Sequence, residues 1–270
     1  MTNHAAERVR LESELRLALA RKEVEVHFQP QVALASGRIV GVEALARWRH
    51  RERGWIPPAQ FIPVAEASNL IHPLGELVLA QACRQVRAWE RAGLPPLRVA
   101  INVSARQLGS LGFARTVAGA LRVAGLDPGR VQLELAQGVL FESPERAIPI
   151  LKQLKSAGVQ IAIDNFGANR PGPSELRRLP VDCLKIDRSF VQRITEECED
   201  TAIALGVISL AQGLDLNVIA EGVETLEQLE FLQSQGCDEG QGELFCAPLP
   251  ADALGPLLAE GRVSVAREVS

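Results

Sequence analysis

Six polar side chains stand where short apolar runs end: Glu43, Asn102, Glu134, Asp164, Lys185 and Glu221. If those runs are the strands of an α/β fold, their C-terminal ends share one face, the face on which such folds bind and react with ligands. Any one of the six alone would read as a helix cap or a solvated loop residue. Six in succession, each after its own strand, point to a common site. The four carboxylates among them would repel one another unless a cation were present. Oxygen donors with a single amide suit a hard divalent ion, magnesium or manganese, and the absence of histidine at these positions disfavours zinc. Two such ions would clamp a phosphodiester and acidify a bound water for in-line attack. Lys185 would hold that water or steady developing phosphoryl charge. In a purely structural role it would be a buried lysine paired with a carboxylate.

The elements that must position this set can be read from periodicity. Residues 5–22 place Leu11, Leu15, Leu17 and Leu19 among charges at roughly helical spacing, an amphipathic opening helix packed on the rest of the domain. HFQPQVAL reads as an extended segment stopped by Pro30, ASGR (35–38) as a turn, and RIVGVEALARW as a second strand ended by Glu43. Further strands are expected at 97–103, 131–135, 159–164, 183–187 and 216–222. Helices are expected at 76–93, 145–158 and 201–214, and near 225–236 and 252–260. Repeated βα units with strands apolar on both faces imply a parallel sheet. With no linker in sight, one domain spanning 1–270 closes most economically into a barrel. The alternative, an open doubly wound sheet, lacks a GxGxxG turn after an early strand.

Composition narrows the class. A net charge of -4 argues against a surface that coats a nucleic-acid polymer. The five cysteines are scattered without a CxxC pair, which fits a reducing cytoplasm rather than a disulfide framework or zinc site. No apolar run is long enough to span a membrane, and MTNHAAERVR lacks the apolar stretch of a signal peptide. Trp55 is expected on a loop, packed on the barrel rim or else stacked on a base, and His50 and His72 as surface or packing residues. The basic run Arg47, Arg49, His50, Arg51 and Arg53 either steers an anion or is a solvated face.

A family resemblance emerges from longer stretches. Glu43-Ala44-Leu45-Ala46-Arg47-Trp48 resembles the E-A-L-x-R-W signature of EAL domains, and Phe28-Gln29-Pro30 the Y/F-Q-P element before it. FIPVAEASNLI (61–71), INVSARQL (101–108), LPVDCLKIDRSFV (179–191), AEGVET (220–225) and QGELFCAPLP (241–250) resemble the family's later blocks, in order. The resemblance implies a modified TIM (β/α)8 barrel with one antiparallel strand, and a metal-dependent phosphodiesterase that opens cyclic di-GMP to linear pGpG. By position it implies that Glu43, Asn102, Glu134 and Asp164 hold a first Mg2+ or Mn2+. Asp164 would bridge to a second ion bound also by Asn165 and Glu221. Calcium would be the inhibitory substitute. Lys185 would position the water, Gln29 and Arg47 would grip the nucleotide, and Gln241, Phe245 and Pro248 would border a guanine. Glu224 would support the site from behind.

Three departures from the family pattern bear on one substructure. Paired aspartates before F-G become Asp164-Asn165, removing one negative charge from the second metal site. The E-x-T-E block reads Glu134-Leu135-Ala136-Gln137, so the anchor of the adjacent loop is a neutral Gln137. That loop reads Ala168-Asn169-Arg170-Pro171-Gly172-Pro173-Ser174, where two prolines remove donors and fix φ. These changes favour a cyclic di-GMP receptor with weak or absent turnover, holding one ion or none. Two alternatives stay open: an active phosphodiesterase, and a protein-interaction domain that has dropped the nucleotide. A homodimer and a protein signalling partner are further expectations.

Overall fold

The computed structural model describes residues 2–167 and 172–263. Its strands are β1 (Val24–Ala33), β2 (Arg38–His50), β3 (Gly54–Ile56), β4 (Arg98–Val103), β5 (Val131–Ala136), β6 (Gln160–Phe166), β7 (Cys183–Ile186), β8 (Asn217–Glu221), β9 (Glu239–Gln241) and β10 (Leu249–Pro250). Hydrogen bonding runs β1-β9-β8-β7-β6-β5-β4-β2 and closes through β1–β2 into an eight-stranded barrel. β2 and β4 to β9 run parallel to one another, while β1 is antiparallel to both its barrel neighbours, β2 and β9. The cause is local. A tight turn at 34–37, with Gly37 at φ 69°, joins β1 to β2, and so short a link permits only antiparallel pairing. β3 and β10 add to the outside of β2 and β1.

The helices are α1 (Thr2–Arg21), α2 (Pro58–Ala67), α3 (Ile71–Arg91), α4 (Ala105–Leu108), α5 (Phe113–Ala124), α6 (Gln137–Phe141), α7 (Pro144–Ser156), α8 (Pro173–Leu176), α9 (Arg188–Val191), α10 (Cys198–Gly213), α11 (Leu226–Ser234) and α12 (Ala251–Glu260). Strand alternation divides the core. In β5, Val131, Leu133 and Leu135 join the large apolar cluster, while Gln132 and Glu134 are buried polar residues on the other face. Ala162, Cys183 and Ile219 form a small separate apolar group, from three neighbouring barrel strands.

Several expectations are corrected. Pro30 does not stop its strand: β1 continues to Ala33. Opposite β2, β1 meets β10 only at His27–Phe28 and β9 only at Val32–Ala33, so Pro30 lies in a gap of the ladder, where proline is tolerated. Glu43 lies within β2 rather than at its end, because β2 runs on to His50 beside β1 and β3. Its pairing to β4 ceases at Ala44, which keeps Glu43 at the barrel rim. Trp55 belongs to β3, not a loop, with its ring edge-on to His27 at 5.5 Å and 51% of the residue exposed. In α1 the buried stripe is Leu11, Leu15 and Ala18, which leaves Leu17 half-exposed. Arg51 and Arg53 pair with Glu23 and with Glu14 and Glu7, which marks them as surface ion pairs rather than a steering patch. Residues 168–171 of the altered loop lie outside the described residues. Pro173 is placed, at the first position of α8, where a proline's missing N–H is harmless.

Candidate active site and ligand clefts

Each of the eight barrel strands contributes one polar residue to a single ring: Gln29, Glu43, Asn102, Glu134, Asp164, Lys185, Glu221 and Gln241. Lys185 is its hub. The ammonium lies 2.6 Å from Glu221 Oε1, 2.7 Å from Glu134 Oε2, and 3.7 Å from both Glu43 Oε2 and Asp164 Oδ1. Its side chain is fully buried. Glu43 is fixed by neutral donors: it accepts from Asn102 Nδ2 at 2.6 Å and from Gln241 Nε2 at 2.5 Å.

Proton affinities reflect this crowding. Burial pushes Glu134 well above the usual carboxylate range, and Glu43, Asp164 and Glu221 add to the rise against the pull of Lys185. Burial likewise raises Glu221 to about 7. Burial opposes the charge on Lys185, but the surrounding carboxylates outweigh it and hold the ammonium well above its ordinary value. Glu43 goes the other way. Burial raises it, yet Lys185, Gln241 and Asn102 together hold it below the ordinary value.

The donor set fits a hard cation. Both oxygens of Glu134 and Oδ1 of Asp164 are buried without a hydrogen bond, acceptors that an oxygen-seeking ion would satisfy. The close approach of Lys185 to Glu134 is electrostatic, since the two atoms do not meet hydrogen-bond geometry. Among the described residues no three acidic, histidine or cysteine side chains stand ready-made around an ion. The Lys185 ammonium fills the point on which the carboxylates converge.

Asn165 sits on a register shift between β6 and β7, in the left-handed region at φ 54°. Asparagine tolerates that conformation better than most residues. The irregularity turns its side chain to the exposed side, where Nδ2 donates to Asp164 Oδ2 at 3.0 Å. An aspartate here could not make that contact when ionised. Gln137 is buried as the first residue of α6.

Two clefts of similar size flank the ring, with Leu45 and Arg47 lining both. One, of roughly 380 Å³, is lined by Gln29, Glu43, Glu221, Gln241 and Pro248, with Arg188 and Glu224 at its edge. The other, of roughly 370 Å³, has an apolar wall of Ile62, Leu74 and Val78 facing Asn102, Glu134, Asp164 and Asn165. Arg47 donates to the Ala46 carbonyl at 2.9 Å. Phe245 is buried in the core and lines a separate hollow with Leu34 and Leu229.

Arg188 lies within the LPVDCLKIDRSFV stretch, yet the sequence assigned it no part in the site. It opens α9 just after β7, and its Nη2 donates to Glu224 Oε1 at 2.6 Å. Gln192 Nε2 donates to the same oxygen at 2.9 Å. Gly222, at φ 72°, makes room for it: a Cβ there would lie 2.3 Å from Arg188 Cγ. Its place in the first residues after a barrel strand was the available signal.

Comparison with known proteins places this geometry among relatives. The sequence model of the EAL domain matches residues 12–248. Over 262 residues the chain is 42% identical to the cyclic di-GMP phosphodiesterase NbdA of Pseudomonas aeruginosa, covering 97% of this chain and 34% of that protein. It is 40% identical over 254 residues to the bifunctional diguanylate cyclase/cyclic di-GMP phosphodiesterase MucR of the same organism, covering 94% and 37%. The solved structure of the MucR phosphodiesterase in complex with c-di-GMP superposes with a TM-score of 0.88 at 40% identity, covering 91% of this chain and 99% of that one. The chain thus spans about a third of the length of these curated relatives.

Proposed function

Because the chain belongs to the EAL-domain family, we propose that it captures cyclic di-GMP as a cytoplasmic receptor and turns it over weakly or not at all. Paired clefts on either side of Leu45 and Arg47 suit a ligand with two like halves and a charged waist. Gln29, Gln241, Pro248 and Arg188 would face one half, the apolar wall at Leu74 the other, and the Arg47 guanidinium a phosphate. Free cysteines throughout and the lack, among the described residues, of a helix long and apolar enough to cross a membrane fit this reading.

The observation that carries weak turnover is the Asn165 amide on Asp164. It places a neutral donor on Asp164, a carboxylate that would hold the ions, where the resemblance implies a second acidic ligand. Magnesium or manganese would be held by Glu43, Asn102, Glu134 and Asp164, with Glu221 and Asn165 as the weaker second set. A bound ion would supply Lewis acidity toward the phosphodiester and acidify a water. The chain's own groups do the rest. Arg47 orients the phosphate, Lys185 steadies charge near the water, and Lys185 together with the Gln241 and Asn102 amides keeps Glu43 ionised.

The active-enzyme reading is favoured by one specific observation, the convergence of Glu43, Glu134, Asp164 and Glu221 on Lys185. Calorimetric titration of cyclic di-GMP in calcium, followed by chromatography of the sample after incubation with magnesium or manganese, decides between them. Binding with intact nucleotide is expected. Rapid accumulation of pGpG, abolished by Glu43→Ala, would overturn the receptor reading, and absence of both binding and turnover would leave a protein-interaction role.

A further inference from the structure

A line of side-chain amides runs along the barrel interior with its donor direction set at both ends. At the N-terminal side of the parallel strands, Arg98 pairs with Glu239, which also accepts from Asn217 Nδ2 at 2.7 Å. Arg98 Nη2 donates to Gln31 Oε1 at 2.9 Å. Gln31 Nε2 donates to Gln241 Oε1 at 3.1 Å. Gln241 Nε2 then donates to Glu43 Oε2 and, at 2.9 Å, to Gln29 Oε1. Finally Gln29 Nε2 donates to the Cys246 carbonyl at 3.0 Å.

A guanidinium offers only donors, while an ionised carboxylate and a peptide carbonyl offer only acceptors. Arg98 at one end, with Glu43 and the Cys246 carbonyl at the other, therefore leaves one self-consistent orientation for each of the three amides between them. Gln31 is fully buried and Gln241 nearly so, which makes a flipped amide without partners unfavourable. Gly41, paired with Gln31 across β1 and β2, leaves the space: a Cβ there would lie 2.9 Å from Gln31 Oε1.

We propose that Gln31 is a positioning residue for ligand binding that acts through Gln241, although it lines neither cleft. By occupying Gln241 Oε1 it turns the Gln241 amide nitrogen toward Glu43 and Gln29. Were Gln241 to flip, its carbonyl oxygen would face two acceptors, Glu43 Oε2 and Gln29 Oε1. Glu43 and Gln29 would each lose the hydrogen bond that they accept from Gln241 Nε2. The proposal rests on the cyclic di-GMP reading and adds to it the means by which an ion pair at the far end of the barrel sets the polarity of the site.

The test is a double-mutant cycle on cyclic di-GMP affinity in calcium, read by calorimetry. Gln31→Met, which keeps length but removes both polar atoms, is expected to loosen binding about tenfold. In a Gln241→Met background the same change is expected to have no effect, because its route to the ligand is already cut. Equal loosening in both backgrounds, or none in the natural one, overturns the proposal. Gln31→Glu keeps the acceptor for Arg98 but when ionised cannot donate to Gln241, so it is expected to loosen binding at least as much. Natural affinity in that variant overturns the proposal even if Gln31→Met does not fold. If the natural protein binds no nucleotide, the receptor reading fails by itself, and the same cycle is read on calcium affinity of the nucleotide-free protein.

Discussion

Lys185 Nζ lies 2.6 Å from Glu221 Oε1, inside a ring of carboxylates drawn from four different strands. The chain thereby supplies its own cation where its acidic groups converge. Glu221 is nevertheless raised to about 7, chiefly by burial. In the unfolded chain the same carboxyl ionises near 4.5. Between those values the folded form keeps a proton that the unfolded form has lost, so this group's contribution to metal-free stability falls as pH rises through the window. A divalent ion needs the ionised carboxylate, so stabilisation by calcium is expected to grow over the same window. Melting curves at pH 5 and pH 8, with and without calcium, check this. A calcium shift equal at both pH values would contradict it.

Lys185→Met removes the ammonium and leaves four carboxylates facing one another. The metal-free variant is expected to be less stable by about 3 kcal/mol, the usual scale for breaking a buried charge pair from one side. It is also expected to gain more from added calcium than the natural protein does. Denaturant titration with and without the ion gives both quantities. A Met variant as stable as the natural protein without metal would show that the carboxylates simply take up protons.

Asn165→Asp replaces the donor on Asp164 Oδ2 with a second acidic ligand. Hydrolysis of cyclic di-GMP in manganese is expected to rise at least about tenfold, a barrier change of about 1.4 kcal/mol. Chromatography of the linear product measures it. An unchanged rate would move the limiting defect away from residue 165.

Arg188 is held over the cleft by Glu224, so both ends of that contact are testable. Arg188→Ala is expected to loosen cyclic di-GMP about tenfold, and Glu224→Gln less, because the neutral amide still offers an oxygen. Gly222→Ala is expected to mimic Arg188→Ala in binding, since its Cβ would displace the Arg188 stem, with a loss of about 1–2 kcal/mol in stability from the left-handed backbone. Titration calorimetry and melting separate the two effects. If Arg188→Ala binds as tightly as the natural protein, the side chain belongs to the surface and not to the ligand.

The barrel class was legible because parallel strands apolar on both faces must be covered by helices on one side and closed on the other. Six of the eight ring residues were legible because each stands at an apolar run, whereas Gln29 and Gln241 were indicated only by the family resemblance. β9 was missed, since Glu239–Gln241 is three residues long and carries no apolar alternation. It exists because β8 and β1 offer it edges on either side. β2 outran its expected end because β1 and β3 continue to pair with it after β4 has turned away.

By itself the sequence determined that Glu43, Asn102, Glu134, Asp164, Lys185 and Glu221 reach the mouth of the barrel, because side-chain alternation and strand ends are local properties of the chain. It also determined that Asn165, and not an aspartate, stands beside Asp164. Only the tertiary structure decided what each of them touches. Gln31 and Gln241 are 210 residues apart, and Gln29 and the Cys246 carbonyl 217, yet each pair shares a hydrogen bond. Lys185 meets four carboxylates from four other strands. Closure of the barrel and the stagger of its strands fix those meetings, and neither is encoded in any one segment. The direction of the Asn165 amide, the grip of Glu224 on Arg188 and the polarity of the Gln31–Gln241 line are all set by them.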